Sequence, residues 1–153
     1  MGLTDFVFEE VIAPLVKGAL EDYTKDMLKG IIGEAVIAAQ PNVMGQAVRK
    51  ALREFLEIVQ DELEDCACPP LEIRDYYQVP ISQFIKDDQV KTLLGKPFEE
   101  KAVNAEILEE IWNQRKFRHM PDDFTWKDVA NRYGKKVKAI IKTTPELRVV
   151  IDS

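Results

Sequence analysis

One stretch of this chain, residues 42–65, fixes the kind of element that the fold must contain. Apolar side chains recur there at every third or fourth position, which is the spacing of one face of an α-helix. The members of this stripe are Val48, Ala51, Leu52, Phe55, Leu56, Val59 and Leu63. The segment ends in a sequence that no helix continues through, Cys66-Ala67-Cys68-Pro69-Pro70. The pattern predicts a helix of about six turns that buries one face.

Further helices are indicated by capping residues and by apolar residues at helical spacing. The predicted segments are 4–36, 81–85, 89–94 with Gly95 as its stop, 105–116, 125–142, and a terminal one after Pro145. The first of them either kinks at Pro14 or starts only at Ala13, and a break near Lys29-Gly30 can divide it. Asp87 and Asn104 are well placed as caps, and Asp122 or Asp123 can cap the helix that follows them. No alternating strand pattern of useful length and no internal repeat is present. The sequence therefore predicts an all-α fold, a compact bundle of about five to seven helices.

Length and charge set the limits for this bundle. A chain of 153 residues fits a single domain, 1–153, with a sub-boundary expected near 66–80. The net charge is −6, but residues 1–75 carry 7 Lys/Arg against 15 Asp/Glu, and residues 76–153 carry 14 against 12. An overall acidic chain favours solubility and argues against nucleic-acid binding by the whole molecule. The acidic N-terminus and the two unpaired cysteines favour a cytoplasmic protein.

The sequence offers no catalytic or cofactor site. A phosphate-binding loop needs a second glycine and a hydroxyl, whereas Gly95-Lys96 is followed by Pro97. Cys66, Cys68 and His119 supply only three ligands for a structural zinc ion, at a poorly matched spacing. We therefore expect no enzyme activity, no metal and no cofactor, with the cysteines lying at a helix end.

Basic residues accumulate in the later part of the chain. Residues 112–142 carry a net charge of +6, and a contact face is predicted from Arg115, Lys116, Arg118, Lys135, Lys136, Lys138 and Lys142. A basic face of this kind can contact a neighbouring domain, or bind a phosphate backbone or an acidic lipid. Trp126 and Tyr133 fall on the apolar stripe, which favours the core over a base-stacking platform. The acidic residues at 61–65 lie at a helix C-terminus and predict a basic partner such as Arg115, Lys116 or Arg118.

The first predicted helix has a candidate interaction or membrane face. It consists of Phe6, Val7, Val11, Ile12 and Leu15. Such a face can pack in the core, join copies of the chain, or enter a bilayer. Its polar side is acidic, with Glu9 and Glu10, whereas helices that bind anionic membranes are usually basic on that side. Core packing is the simplest interpretation, and a membrane role is the alternative.

The last third of the chain carries a specific pattern. It consists of the run Met120-Pro121-Asp122-Asp123-Phe124-Thr125-Trp126, then Tyr133, and then Glu146-Leu147-Arg148. This pattern resembles the segment that precedes the ATPase core in NACHT-type signalling proteins of the bacterial, NLR-like kind. Pro121, Asp123, Phe124, Trp126 and Tyr133 are the landmark residues of this resemblance. It covers residues 79–153 well and the earlier half only in general character.

The resemblance implies that the chain is the N-terminal helical module of a NACHT NTPase, with the ATPase downstream in the same polypeptide. The implied role is a non-enzymatic effector, adaptor or oligomerisation module in defence or cell-death signalling, self-associating on activation. Two alternatives stay open. One is a cell-death effector that permeabilises membranes through its first helix, and the other is a nucleic-acid-binding domain that uses the basic 115–142 face.

Overall fold

The computed structural model describes residues 20–28 and 41–152. Within these residues no strand is present, so the predicted all-α fold is confirmed. Eight α-helices and one 3₁₀ turn follow each other there in the order α1 (Leu20–Leu28), α2 (Pro41–Asp65), α3 (Pro70–Tyr76), α4 (Gln78–Phe84), α5 (Asp88–Gly95), the 3₁₀ turn (Lys96–Glu99), α6 (Ala105–Gln114), α7 (Trp126–Thr143) and α8 (Pro145–Asp152).

The two longest described helices, α2 and α7, form the centre of the bundle. Every member of the predicted stripe on α2 is at most 1% exposed to solvent. The stripe on α7 is buried as well and consists of Trp126, Val129, Tyr133, Val137, Ile140 and Ile141. Phe55 and Tyr133 meet edge to face between the two helices, with ring centroids 5.6 Å apart. Helices α6 and α8 pack on α7, while α1 packs on α2 and α5.

Two buried tyrosines connect helices through their hydroxyl groups. Tyr133 donates a hydrogen bond to the Leu94 carbonyl at 2.6 Å, and Tyr23 donates to the Ile85 carbonyl at 2.6 Å. Burial raises the pKa of both phenols well above the ordinary tyrosine value, because the charged phenolate would lose its hydration. Each tyrosine therefore fills the core and satisfies a backbone carbonyl at the end of a neighbouring helix.

Two of the aromatic landmark residues, Phe124 and Trp126, belong to an aromatic cluster in the core. Trp126 lies 5.2 Å from Phe84, 5.9 Å from Trp112 and 5.0 Å from Phe124, measured between ring centroids. The indole nitrogen of Trp112 donates to the Arg118 carbonyl at 3.1 Å, so the cluster also holds the chain that joins α6 to α7. The Phe-x-Trp pattern is thus a packing requirement: both rings are buried, on either side of a helix start.

The helix starts confirm two predicted caps and correct a third. The side chain of Asp87 accepts from the amides of Gln89 and Val90, and Asn104 accepts from the amide of Ile107. The prediction that Asp122 or Asp123 caps the long basic helix is wrong. Both are exposed central residues of a turn closed by a hydrogen bond from the Phe124 amide to the Pro121 carbonyl.

A carboxylate from another helix accepts hydrogen bonds at the start of α7 instead. Thr125 is its N-cap residue but makes no capping bond with its own side chain. Both the amide and the hydroxyl of Thr125 donate to Glu62 of α2 at 3.4 Å. Glu62 is only 8% exposed, and its negative charge lies where the helix dipole favours an anion.

Helix α5 ends at Gly95 as predicted, but not for the expected reason. Its φ is −80°, so the left-handed conformation of a glycine stop is absent. A Cβ built at Gly95 would lie 2.1 Å from the Met27 carbonyl oxygen of α1. Glycine is required because the two backbones approach closely.

Candidate interaction surfaces

The predicted face on the first helix lies outside the described residues. This applies to all five of its members, Phe6, Val7, Val11, Ile12 and Leu15. In the part of the chain that the structure describes, no helix has both the length and the apolar character that crossing a bilayer requires.

The predicted basic face separates into two groups of different character. Arg115 forms an ion pair with Asp87, and the Arg118 guanidinium lies 4.0 Å from the centroid of the Tyr76 ring. Lys136 is 3.8 Å from Glu54 on α2. These three cations are thus engaged by groups of the same bundle. Lys116, Lys135, Lys138 and Lys142 are exposed and make no ion pair within the described residues.

The pair between Arg115 and Asp87 also fixes the start of α5. Burial alone would raise the pKa of Asp87, but hydrogen bonds from Arg115 and from the amides of Val90 and Gln89 hold it below the ordinary aspartate value. Asp87 is therefore a charged cap at neutral pH, and its bond to Arg115 is structural.

Two of the predicted lysines line a groove at the other end of α7. The groove encloses about 960 Å³ between the 3₁₀ turn, the C-terminal half of α7, and α8. Its charged residues are Glu100, Lys101, Lys138, Lys142 and Arg148, and its uncharged lining consists of Pro97, Gly134, Ile141, Pro145 and Val149. Arg148 pairs with Glu100 at 3.2 Å. The groove thus combines an apolar lining with an excess of positive charge.

Sequence reasoning did not find two of these cations. Lys101 follows the 3₁₀ turn and Arg148 lies on the short terminal helix, so neither shares a helix face with Lys138 and Lys142. Only the packing of α8 and the turn against α7 brings the four together. No periodic pattern in the sequence carries that information.

Two of the acidic residues at the end of α2 find their partners on α7 or at its N-cap residue. Asp61 pairs with Arg132 at 3.1 Å, and Glu62 contacts Thr125 as described above. Glu64 accepts from Gln60 at 2.9 Å on the same helix. The expectation that Arg115, Lys116 or Arg118 serves this acidic run is therefore wrong, because α7 packs along α2 and presents Arg132 there.

Cys66 and Cys68 are free thiols whose pKa values are raised, and His119 is exposed. Burial, followed by the charges of Glu62, Asp123 and Asp65, raises the pKa of the Cys66 thiol. The pKa of Cys68 is raised by burial and by Glu72. Both thiols are thus protonated and weakly nucleophilic at neutral pH. Among residues 20–28 and 41–152, no group of three or more His, Cys, Asp or Glu side chains is placed to hold a metal ion.

The two aromatic side chains of α7 are unavailable for stacking on bases. Trp126 is 3% exposed and Tyr133 is fully buried. A single-strand platform needs exposed rings between its cations. The predicted preference of these two residues for the core is confirmed, and the basic surface has no such platform on α7.

Comparison with known proteins gives one match. The family model described as NACHT N-terminal Helical domain 2 matches residues 15–153. No curated protein and no solved structure matches the chain. The matched range includes every described helix and all five landmark residues.

Proposed function

The chain belongs to the family of NACHT N-terminal helical domain 2, and on that premise we propose that it is the non-enzymatic N-terminal module of a NACHT NTPase. The ATPase follows in the same polypeptide and supplies the nucleotide chemistry. The helical domain converts assembly of the ATPase into a signal, as an effector, an adaptor or an oligomerisation element. The signal belongs to defence or cell death. The observation that carries the proposal is the family match over nearly the whole chain.

The surface chemistry of the described bundle supports a role in association. Its surface carries a groove with more cations than anions, and the groove also has an apolar lining. Exposed ion pairs contribute little each, so a surface of this type binds weakly between free molecules. Clustering by an attached ATPase raises the local concentration into the millimolar range, where weak surfaces are occupied. We therefore expect dispersed copies of the domain not to signal and clustered copies to signal.

The test is to replace the ATPase by an oligomerisation domain that a small molecule induces. We expect that bacterial cells expressing this fusion arrest growth only after the inducer is added. The control is a Trp126→Asp fusion, which places a charge in the buried aromatic cluster and unfolds the bundle. Normal growth with a folded, clustered wild-type domain would contradict the effector role.

Dye uptake in the same cells distinguishes the membrane alternative from signalling through a partner. Uptake that requires clustering and disappears in a Phe6→Asp, Val7→Asp variant would replace the present proposal with a pore-forming effector. Growth arrest with intact membranes supports an adaptor. Circular dichroism of the variant shows whether those two positions are needed for the fold. If the variant is unfolded, dye uptake by the clustered wild-type domain alone distinguishes the pore-forming effector from the adaptor.

A further inference from the structure

We propose that this domain associates head to tail, with the acidic outer face of α6 in one copy seated on the basic groove of the next copy. The inference rests on the proposed function, since it names the surfaces by which clustered copies join. The bundle leaves two sets of exposed charges of opposite sign without partners among the described residues.

The groove presents three cations that no carboxylate neutralises. Lys101, Lys138 and Lys142 are exposed and make no ion pair within the described residues. The fourth cation of the groove, Arg148, is held by Glu100. Between these charges the lining is apolar, and Val149 is 69% exposed, which is the largest exposure among the exposed large apolar residues of the described chain.

The outer face of α6 carries the complementary charge. Glu106, Glu109 and Glu110 are exposed and make no ion pair within the residues that the structure describes. They lie three and four positions apart, so all three project from one side of the helix. The opposite side of α6 is anchored in the core by Leu108, which is fully buried, and by Trp112, which is 1% exposed. The acidic face is therefore held in a fixed orientation toward solvent.

The spacing of the charges matches along the two helices. Lys138 and Lys142 are four residues apart on α7, and Glu106 and Glu110 are four residues apart on α6. Four residues of α-helix rise about 6 Å, so two ammonium groups can face two carboxylates when the helices lie alongside each other. Half-buried Ile107 borders the acidic face and offers an apolar contact for the groove lining.

Association relieves repulsion on both surfaces. Like charges four residues apart on a helix destabilise it, and each surface contains such a pair. A second copy supplies the opposite charge to both. Open space next to Gly134, where a Cβ would meet nothing within 4 Å, leaves the α7 side of the groove accessible. Charge complementarity and an accessible groove thus point to a second copy as the occupant.

The contact joins two different surfaces, which determines the form of the assembly. After two copies have paired, one keeps an unused groove and the other keeps an unused acidic face, so the contact repeats and produces a ring or a filament. The pairs are exposed and individually weak, so the assembly forms at high local concentration and low ionic strength.

The experiment uses charge reversal on the 153-residue chain, measured by sedimentation equilibrium at about 50 mM salt. The groove variant is Lys138→Glu, Lys142→Glu, and the helix variant is Glu106→Lys, Glu110→Lys. The wild type is expected to gain mass with concentration, and each variant alone is expected to show a dissociation constant raised about tenfold or more. A matched control for the groove variant, Lys50→Glu with Lys86→Glu, changes the net charge by the same amount and in the same direction at exposed positions outside both surfaces and should associate like the wild type.

Mixing gives the sharpest result. The two variants carry complementary surfaces of reversed sign, so their equimolar mixture should associate although neither does so alone. Failure of the mixture to associate, with both variants folded by circular dichroism, would overturn the proposal. So would a wild type that stays monomeric at millimolar concentration. If the groove variant instead loses binding to vesicles that contain phosphatidylserine, while the mixture stays monomeric, the groove is a membrane contact and the head-to-tail assembly is wrong.

The outcome is separable from that of the proposed function. If induced clustering arrests growth but the wild-type domain is monomeric in solution, the proposed function is supported and the head-to-tail contact is wrong. If the domain associates head to tail but clustering does not arrest growth, the contact is supported and the proposed effector role is wrong.

Discussion

Three helix ends in the described chain are closed by residues other than glycine in a left-handed backbone conformation. They are Ala67, Glu100 and Lys116, with φ of 63°, 63° and 58°. At Ala67 the geometry is a Schellman motif, because the Cys68 amide bonds to the Leu63 carbonyl and the Ala67 amide to the Glu64 carbonyl. A side chain in this conformation costs free energy that glycine does not.

We expect Ala67→Gly to stabilise the domain. Removal of the Cβ relieves a strain of about 1–2 kcal/mol in the folded state. Glycine also gives the unfolded chain more conformational freedom, which offsets part of this gain. The free energy of unfolding in urea should rise by about 0.5–1 kcal/mol. Ala139→Gly, at an exposed position inside α7, is the matched control and should lower the same quantity by about 1 kcal/mol. Equal losses from both substitutions would contradict the assigned strain.

The two buried tyrosines predict a loss of stability at alkaline pH. Their pKa values are raised in the folded state, while an unfolded tyrosine titrates near pH 10. Their contribution is therefore complete below about pH 10 and is lost as the pH rises toward the folded-state pKa values. Between the unfolded-state and folded-state pKa values, each tyrosine lowers the free energy of unfolding by about 1.4 kcal/mol per pH unit.

Urea unfolding measured between pH 9 and pH 11 tests this effect, because these values lie about one unit below and above the pKa of an unfolded tyrosine. A Tyr23→Phe, Tyr133→Phe variant should be less stable near neutral pH by about 1–3 kcal/mol for each lost hydrogen bond, because two carbonyls lose their donors. Its stability should nevertheless fall less steeply with pH than that of the wild type. Parallel curves would show that other groups cause the alkaline loss.

Individual residues show how far the sequence alone predicts this structure. Asp87 and Asn104 were predictable as caps because each bonds to amides two or three positions ahead. Glu62 was not, since it accepts from the N-cap residue Thr125, which lies 63 residues later in the chain. Local rules thus identify caps supplied by neighbours in sequence and fail for those supplied by packing.

At the scale of helices, α1 and α5 approach each other through a glycine. We expect Gly95→Ala to lower the free energy of unfolding by about 3 kcal/mol, because its Cβ would meet the Met27 carbonyl, part of a backbone that cannot rotate away. Urea titration followed by far-ultraviolet circular dichroism measures the loss.

Gly134→Ala is the matched control for that prediction. It lies inside α7, and nothing is within 4 Å of an added Cβ. Alanine is favoured over glycine in a helix interior, so this substitution should raise the free energy of unfolding by about 0.8–1 kcal/mol. Opposite signs at the two glycines are the expected result. A gain at Gly95 would show that α1 and α5 separate in solution.

The boundaries of the elements were predictable where strong periodicity and breaking residues coincide. Helix α2 ends one residue before Cys66 and α7 begins at Trp126, close to their predicted limits. The pairing of elements was not. The cations of the groove come from a turn and two helices, and only the tertiary packing brings Lys101 and Arg148 to Lys138.

For the molecule as a whole, the uneven charge along the sequence is partly used within the bundle. The two salt bridges between α2 and α7 join the acidic early half to the basic later half, as Asp61 with Arg132 and Glu54 with Lys136. The side chains in both pairs are 31–55% exposed. Pairs this open contribute at most about 1 kcal/mol each. The fold therefore depends mainly on its apolar core, whereas the proposed contact between copies depends mainly on charge.

Ionic strength should accordingly separate folding from association. Raising the salt from about 50 mM to about 500 mM shortens the screening length to a few ångströms and weakens exposed pairs. We expect the melting temperature to fall by less than about 8 °C, since losing at most about 2 kcal/mol from the two pairs shifts it by roughly 4–8 °C in a domain of this size. The dissociation constant between copies should rise at least about tenfold over the same range. Asp61→Asn with Glu54→Gln, measured at low salt, should reproduce the small thermal shift without affecting association. A large thermal shift with unchanged association would show that charge stabilises the fold and that copies join through apolar contacts.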